Sequence, residues 1–212
     1  MATAHPRPMP ATATIGSAPY ATRSRRGQAM VEFAAVLLPI LLVVVGIIQF
    51  GLLLNVNVTI TNAAREGARA ATIQVYSTAS GATRATNDID RCTAARTAAT
   101  QSFGMLSTSA PNFTGSSACS GGTDLNSDGL QDRWVNGDLT VSICAQMATS
   151  SSPCPNGSDP ASYCTLTEPE GCLVRVEVTY RSDIIVPFIS ALLETDANGR
   201  FVQRAVATMV IN

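Results

Sequence analysis

The sequence predicts an α+β chain: one long apolar helix near the N-terminus, a helical extension of it, and a C-terminal domain in which a small antiparallel sheet packs against helices. Three observations carry this expectation. An uncharged apolar run fills Phe33–Leu54. Small and apolar residues at helical spacing follow it. Period-two alternation appears only towards the C-terminus, separated by turn-rich stretches.

The apolar run comes first. Its 22 residues carry no charge, and Gln49 is its one strongly polar member. As a helix it spans roughly 33 Å at ~1.5 Å per residue, which matches a hydrocarbon core of about 30 Å. Pro39 and Gly46 are tolerated in membrane helices. A buried soluble helix is the rival reading, opposed by the length of the run and its asymmetric flanks. Residues 1–31 contain Arg7, Arg23, Arg25 and Arg26 and no acid. The positive-inside rule then keeps the N-terminus in the cytoplasm. The 158 residues after the run, with ten arginines against fourteen acids, fall outside. A cleaved secretory signal also begins with basic residues and an apolar stretch. Its apolar core is usually only about 7–15 residues long, and Asn55-Val56-Asn57-Val58 lacks a small-x-small cleavage pattern. The expectation is a single-pass protein of the cytoplasmic membrane, in contact with lipid.

Glu32 stands at the mouth of this run, where a carboxylate is costly without a partner or a function. The surrounding residues are Arg25-Arg26-Gly27-Gln28-Ala29-Met30-Val31-Glu32-Phe33. This resembles a type IV prepilin processing site, in which a basic leader ends in Gly, a membrane aspartyl peptidase cuts after it, and Glu is the fifth residue of the mature chain. The resemblance places the cut between Gly27 and Gln28. The chemistry suits that spacing: cleavage creates an α-amino group at Gln28, about one helical turn from Glu32, able to neutralise a carboxylate in its own chain or a neighbouring one. The plainer reading is that Glu32 snorkels to the interface. The longer stretch Gly27–Pro39, with its Glu32-Phe33 pair and proline-interrupted apolar segment, resembles the TadE/TadG-like family of Flp (type IVb, tight-adherence) pili. So does Asn62-Ala63-Ala64-Arg65-Glu66-Gly67-Ala68-Arg69-Ala70-Ala71 beyond the run. The resemblance covers roughly residues 25–75. It implies a pilin-like architecture: a leader 1–27, a transmembrane helix 28–54, a helical extension 55–76 and an extracytoplasmic domain 77–212. It further implies a minor pseudopilin with three kinds of partner: a prepilin peptidase, other pilin or pseudopilin subunits, and the Tad assembly platform. The implied role is pilus assembly for surface adhesion.

Beyond the membrane, residues 58–76 read as helix. Ile60, Ala64, Gly67, Ala68, Ala71 and Val75 form a narrow stripe, with Arg65, Glu66 and Arg69 largely off it. Small residues permit close helix approach, either onto the protein's own outer domain or onto another subunit. Joined to the run, residues 28–76 form one rod, with Pro39 as a place to bend. Residues 77–87 read as a loop. Residues 88–103 read as a second helix with Asp88 near its start and Ile89, Cys92, Ala95, Ala99 and Phe103 on one face. Residues 104–137 are rich in Gly, Ser and Asn, hence loop. Leu139, Val141 and Ile143 alternate with polar residues, as do Val174, Val176, Val178 and Tyr180, giving two strands. A long Ser/Pro/Cys loop at 147–171 separates them. Pro187–Leu193 suggests a short helix, and residues 201–211 a third strand.

Composition removes most catalytic inventories. All fourteen basic residues are arginine, and His5 is the one histidine. No phosphate-loop or Schiff-base lysine exists, and a His-dependent triad or His-bound zinc is not expected. A net charge of −1 offers no general attraction for nucleic acid. Charged residues make up 14%, against about 25% in ordinary soluble domains. The chain is not expected to be an enzyme.

Cys92, Cys119, Cys144, Cys154, Cys164 and Cys172 all follow the run. An even count in an oxidising compartment reads as three disulfides; no Cys-x-x-Cys and no nearby His supports a metal site. Cys154 with Cys164 is a plausible local clip. Cys144 with Cys172 is a tempting hairpin clamp, but alternation puts the two on opposite faces of the sheet.

Asp124-Leu125-Asn126-Ser127-Asp128-Gly129-Leu130-Gln131-Asp132 fits D-x-N-x-D-G-x-x-D. Oxygens at loop positions 1, 3 and 5 suit a hard cation, Gly at 6 permits a sharp turn, the Leu130 carbonyl stands at 7 and Asp132 at 9. The run resembles the calcium-binding repeats of thrombospondin type 3 kind. It departs from an EF-hand at position 12, where Val135 replaces a bidentate Glu and Asp138 is a conceivable substitute. The expectation is a weak structural Ca²⁺ site, against a plain polar loop. Trp134 is expected to anchor this loop to the core. The rival functional readings are a permanently membrane-anchored extracytoplasmic Ca-binding or adhesin domain, and an anchored hydrolase using carboxylates such as Asp124 and Asp128.

Overall fold

The computed structural model describes residues 25–73, 80–115, 119, 121–144, 164, 171–186 and 193–211. The chain forms two compact units, Met1–Val43 and Val44–Asn212. Helix α1 (Arg25–Ile73, 49 residues) contributes to both.

In the first unit, every side chain from Gly27 to Val43 is exposed, including Met30, Phe33, Leu38 and Val43. A helix apolar all round and uncovered by protein is suited to lipid. Among the described residues α1 is the helix long and apolar enough to cross a membrane. Pro39 lies inside it. The exposure of Phe33–Val43 argues against reading that part of the run as a soluble core helix.

In the second unit, α1 continues from Val44. Thr59 and Thr61 donate their hydroxyls to the carbonyls of Asn55 and Asn57 at 2.8 and 2.7 Å, so polar side chains past the apolar run are satisfied within the helix. Helix α2 spans Arg84–Gln101. Strands β1 (Arg133–Asn136), β2 (Leu139–Cys144), β3 (Leu173–Ser182) and β4 (Phe201–Val210) form an antiparallel sheet in the order β1-β2-β3-β4. Trp134, Val141, Val176 and Ala207 stand in one row across it. The core joins that face to both helices: Val56, Ile60, Ala64 and Ala68 from α1, Cys92, Ala95 and Ala99 from α2, and Val141, Ile143, Val174, Val176 and Val178 from the sheet. Phe103 stacks edge-on against Phe113 and Tyr180, with ring centroids 4.8 and 5.8 Å apart, a favoured aromatic geometry. The result is the α+β arrangement expected.

Several boundaries differ from expectation. Helix α2 begins at Arg84 and ends at Gln101, so the loop expected at 77–87 is shorter. Thr83 is its N-cap, and Thr83 and Thr86 form a reciprocal capping box; the Thr86 hydroxyl oxygen accepts from the Thr83 N–H, as a Glu or Gln side-chain oxygen usually does. The stretch 104–137 is not all loop. It ends in β1, which pairs with β2 through a two-residue turn, Gly137-Asp138. Gly137 has φ +59, and a Cβ there would meet the Thr114 backbone at 2.5 Å. Among the described residues there are therefore four strands where three were expected. In α1 the helix is described to Ile73, and residues 74–76, with Val75, lie outside the described residues. So do 187–192 of the helix expected at Pro187–Leu193; Leu193 itself lies in a bend.

Candidate functional site

The residues expected to matter fall in three places. The first is Gly27–Phe33. Helix α1 starts at Arg25, so the bond between Gly27 and Gln28 lies within its first turn. Nothing stands within 4 Å of where a Gly27 side chain would be. Gln28 donates its side-chain amide to Glu32 Oε1 at 2.9 Å, an i,i+4 pair. Gln28 and Glu32 thus share one helix face, and Phe33 is exposed beside them. The leader up to residue 24 lies outside the described residues.

The second place is the stripe beyond the apolar run. Ile60, Ala63, Ala64, Ala68 and Ala71 are fully buried. A Cβ on Gly67 would stand 3.0 Å from the Ala95 carbonyl oxygen of α2, 3.3 Å from Val176 of β3 and 3.4 Å from Ala99. Small residues let α1 pack this closely. Of the two expected packings, the stripe takes the protein's own C-terminal domain. Arg65, Glu66 and Arg69 face out, and Glu66 pairs loosely with Arg69 at 3.7 Å. Nearer the N-terminus of the same unit, Gln49 is also buried. Its side-chain oxygen accepts from the Ile185 N–H at 2.8 Å and its amide donates to the Asp183 carbonyl at 3.4 Å. Gln203 of β4 donates to the Leu53 carbonyl at 3.0 Å.

The third place is the Asp-rich loop. Asp124 accepts from the backbone N–H groups of Ser127 and Gly129, Asn126 from that of Asp128, and Asp128 from that of Leu130. Asp132 is fully buried and accepts from the Leu125 N–H at 3.0 Å. Burial pushes its carboxyl above the usual range, and the charges of Asp128 and Asp124 add to that shift. Asp138, considered as a substitute at position 12, is committed elsewhere. It pairs with Arg181 and accepts from the Thr114 N–H. Among the described residues no three His, Cys, Asp or Glu side chains converge on one point. Trp134 is buried in the core beside the loop, as expected.

The cysteines pair differently from the clip suggested by proximity. Cys92 bonds Cys119, and Cys164 bonds Cys172. Cys154–Cys164 is therefore excluded, as is Cys144–Cys172. Cys144 is also disulfide-bonded; Cys154 lies outside the described residues. Cys172 is in the main core, whereas Cys144 packs against Leu125 and Leu173 in a separate cluster. Strand alternation puts the two on opposite faces, for the reason the sequence indicated.

With this geometry in place, the comparison with known families is decisive for one segment. Residues 27–69 match the TadE-like protein family. The TadE-like segment begins at Gly27 and runs through the exposed apolar half of α1 into the buried stripe. It ends at Arg69, within the Asn62–Ala71 motif. No curated protein and no solved structure matches this chain.

One cluster escaped sequence reasoning. Asp88 on α2 faces Arg84 at 3.3 Å and Arg91 at 3.7 Å, all three nearly fully buried. Arg91 donates to the carbonyl of Ala71 in the last turn of α1, and Arg84 to that of Cys164 at 3.2 Å. The i,i+4 and i,i+3 spacing of Arg84, Asp88 and Arg91 was the available signal.

Proposed function

We propose that this chain is a minor pseudopilin of a Flp/Tad (type IVb) pilus, cut after Gly27 by a prepilin peptidase and working in assembly of a pilus used for surface adhesion. The observation that carries the reading is the TadE-like match over residues 27–69, which starts at Gly27 and places Glu32 fifth after it, on a helix fit to span a membrane. The exposed Gly27 backbone leaves a peptidase cleft unobstructed. The new α-amino group at Gln28 would lie one turn from Glu32, where the Gln28 side chain already reaches the carboxylate. The basic leader keeps the cut in the cytoplasm and the disulfide-bonded domain outside. The role is structural, through contacts with other pilin or pseudopilin subunits and the Tad assembly platform.

The test is the N-terminus of the protein isolated from its native membrane, by intact mass and terminal peptide sequencing. A chain beginning at Gln28 supports the reading, and Gly27→Leu should then accumulate with its leader attached. A wild-type chain beginning at residue 1 or 2 overturns it and leaves a permanently anchored surface domain.

A further inference from the structure

We propose that a cleft between α1 and the start of β4 holds an acyl chain of a membrane phospholipid. Gly46, Phe50, Leu53 and Leu54 form its helical wall, one above another at helical spacing. Leu193 and Phe201 form the opposite wall. All six lie in the second unit. The cleft encloses about 380 Å³, within the usual range of ligand sites, about 300–1,000 Å³.

The glutamines that border the cleft are already engaged. Gln49 accepts from the Ile185 N–H at 2.8 Å and donates to the Asp183 carbonyl at 3.4 Å. Gln203 donates to the Leu53 carbonyl at 3.0 Å and accepts from the Ser182 hydroxyl at 2.9 Å. Both amides are spent on the protein, so hydrocarbon faces the space. Water needs several polar partners to settle in a cavity; an apolar occupant needs none.

The occupant follows from what the cleft adjoins. The exposed apolar surface of α1 does not stop at Val43. It continues through Val44, Ile47, Ile48 and Phe50, and Phe50 is also part of the cleft wall. The cleft therefore joins the surface suited to lipid. From Gly46 to Leu54 it runs about 12 Å along the helix at ~1.5 Å per residue. One leaflet supplies half of a hydrocarbon core of about 30 Å. Asn55 and Asn57 stand at the end where the apolar run stops, and Gly46 at the other. That is the order of headgroup and tail in a phospholipid. A 12 Å length of α-helix about 10 Å across fills roughly 900 Å³, more than twice the cleft. The helix of a second copy thus lies across the mouth without filling it. The proposal rests on α1 entering lipid and not on cleavage after Gly27.

The test uses the full chain in vesicles of phosphatidylethanolamine and phosphatidylglycerol. The probe is a phosphatidylcholine with a diazirine midway along one acyl chain. Irradiation and cleavage after arginine release residues 182–200 and 201–204, which carry the wall opposite α1. Expected is label on Leu193 or Phe201, as well as on residues 30–43 of α1. Gly46→Phe sends a ring into the cleft, and nothing stands within 4 Å of where its Cβ would be. It should lose the label at Leu193 and Phe201 and keep that on residues 30–43. Ile47→Phe, on the exposed side of the helix, should keep both. Label on residues 30–43 with none at Leu193 or Phe201 overturns the proposal, since the cleft is then shut by protein. So does undiminished label there in Gly46→Phe, or an equal loss in Ile47→Phe. No label on residues 30–43 either would sink the membrane reading of α1, and this proposal with it.

Discussion

Asp88 and Arg91 look like ordinary surface charges in the sequence, yet they are among the most buried side chains of the molecule. Their burial follows from where α2 sits. Its inner face covers the last described turn of α1, and Arg91 donates to the carbonyl of Ala71 there. Arg91→Ala removes an arginine facing Asp88 and the cover of that carbonyl. It should cost about 3–5 kcal/mol, read as a fall in the denaturant midpoint. At Asp196 stability depends on pH. Backbone N–H bonds from Arg200 and Asn198, with the charges of Arg200 and Arg181, hold its carboxyl below the ordinary range. A depressed carboxyl stabilises the fold above its unfolded value of about 3.9, and that contribution is lost as pH falls through the folded value. Asp196→Asn should therefore lower stability at neutral pH and flatten the acid limb of the stability–pH curve, the two proteins converging below the folded value. Spacing could pair Asp88 with Arg91, but the burial of that pair and the partners of Asp196 were not legible beforehand, because periodicity reports which side of an element is apolar and not which charges the next element covers.

Elements were legible where their pattern was long. The apolar half of α1, strand β2 and strand β3 follow their periods. What failed was short or capped by unusual residues: β1 has four residues, and α2 is opened by Thr83 and Thr86 instead of an acidic box. Thr83→Ala should lower stability by about 0.5–2 kcal/mol, seen as loss of helical signal at a lower temperature. Cysteine positions named the disulfide framework but not its connectivity, which depends on chain path. Cys92–Cys119 joins residues 27 apart and Cys164–Cys172 residues 8 apart. Loop entropy alone makes loss of the longer link about 1 kcal/mol more costly than loss of the shorter, testable by comparing paired Cys→Ser variants.

At the scale of the whole molecule, the TadE-like segment has two physical characters. Its first half exposes apolar side chains; its second half turns small ones inward. The sequence showed both, since one is a matter of hydropathy and the other of residue size. It did not show that the second half belongs to the C-terminal domain's own core, because a stripe of alanines fits any close neighbour. Gly67→Leu should therefore destabilise the domain itself by about 1–3 kcal/mol or more, measured by thermal unfolding without any partner present.

The inward stripe also decides what can be produced in water. A fragment starting at residue 77 would lack Val56, Ile60, Ala63, Ala64, Ala68 and Ala71, the side chains that line one wall of the core. The inner faces of β2 and β3 would then be open, and apolar strands left uncovered associate with one another. A fragment starting at Val44 keeps the whole wall and the Gln49 bonds to Asp183 and Ile185. It should elute as a discrete species once the exposed Ile47, Ile48 and Phe50 are made polar, whereas the shorter fragment should precipitate. Solubility here is gained by keeping part of an apolar helix, not by removing all of it.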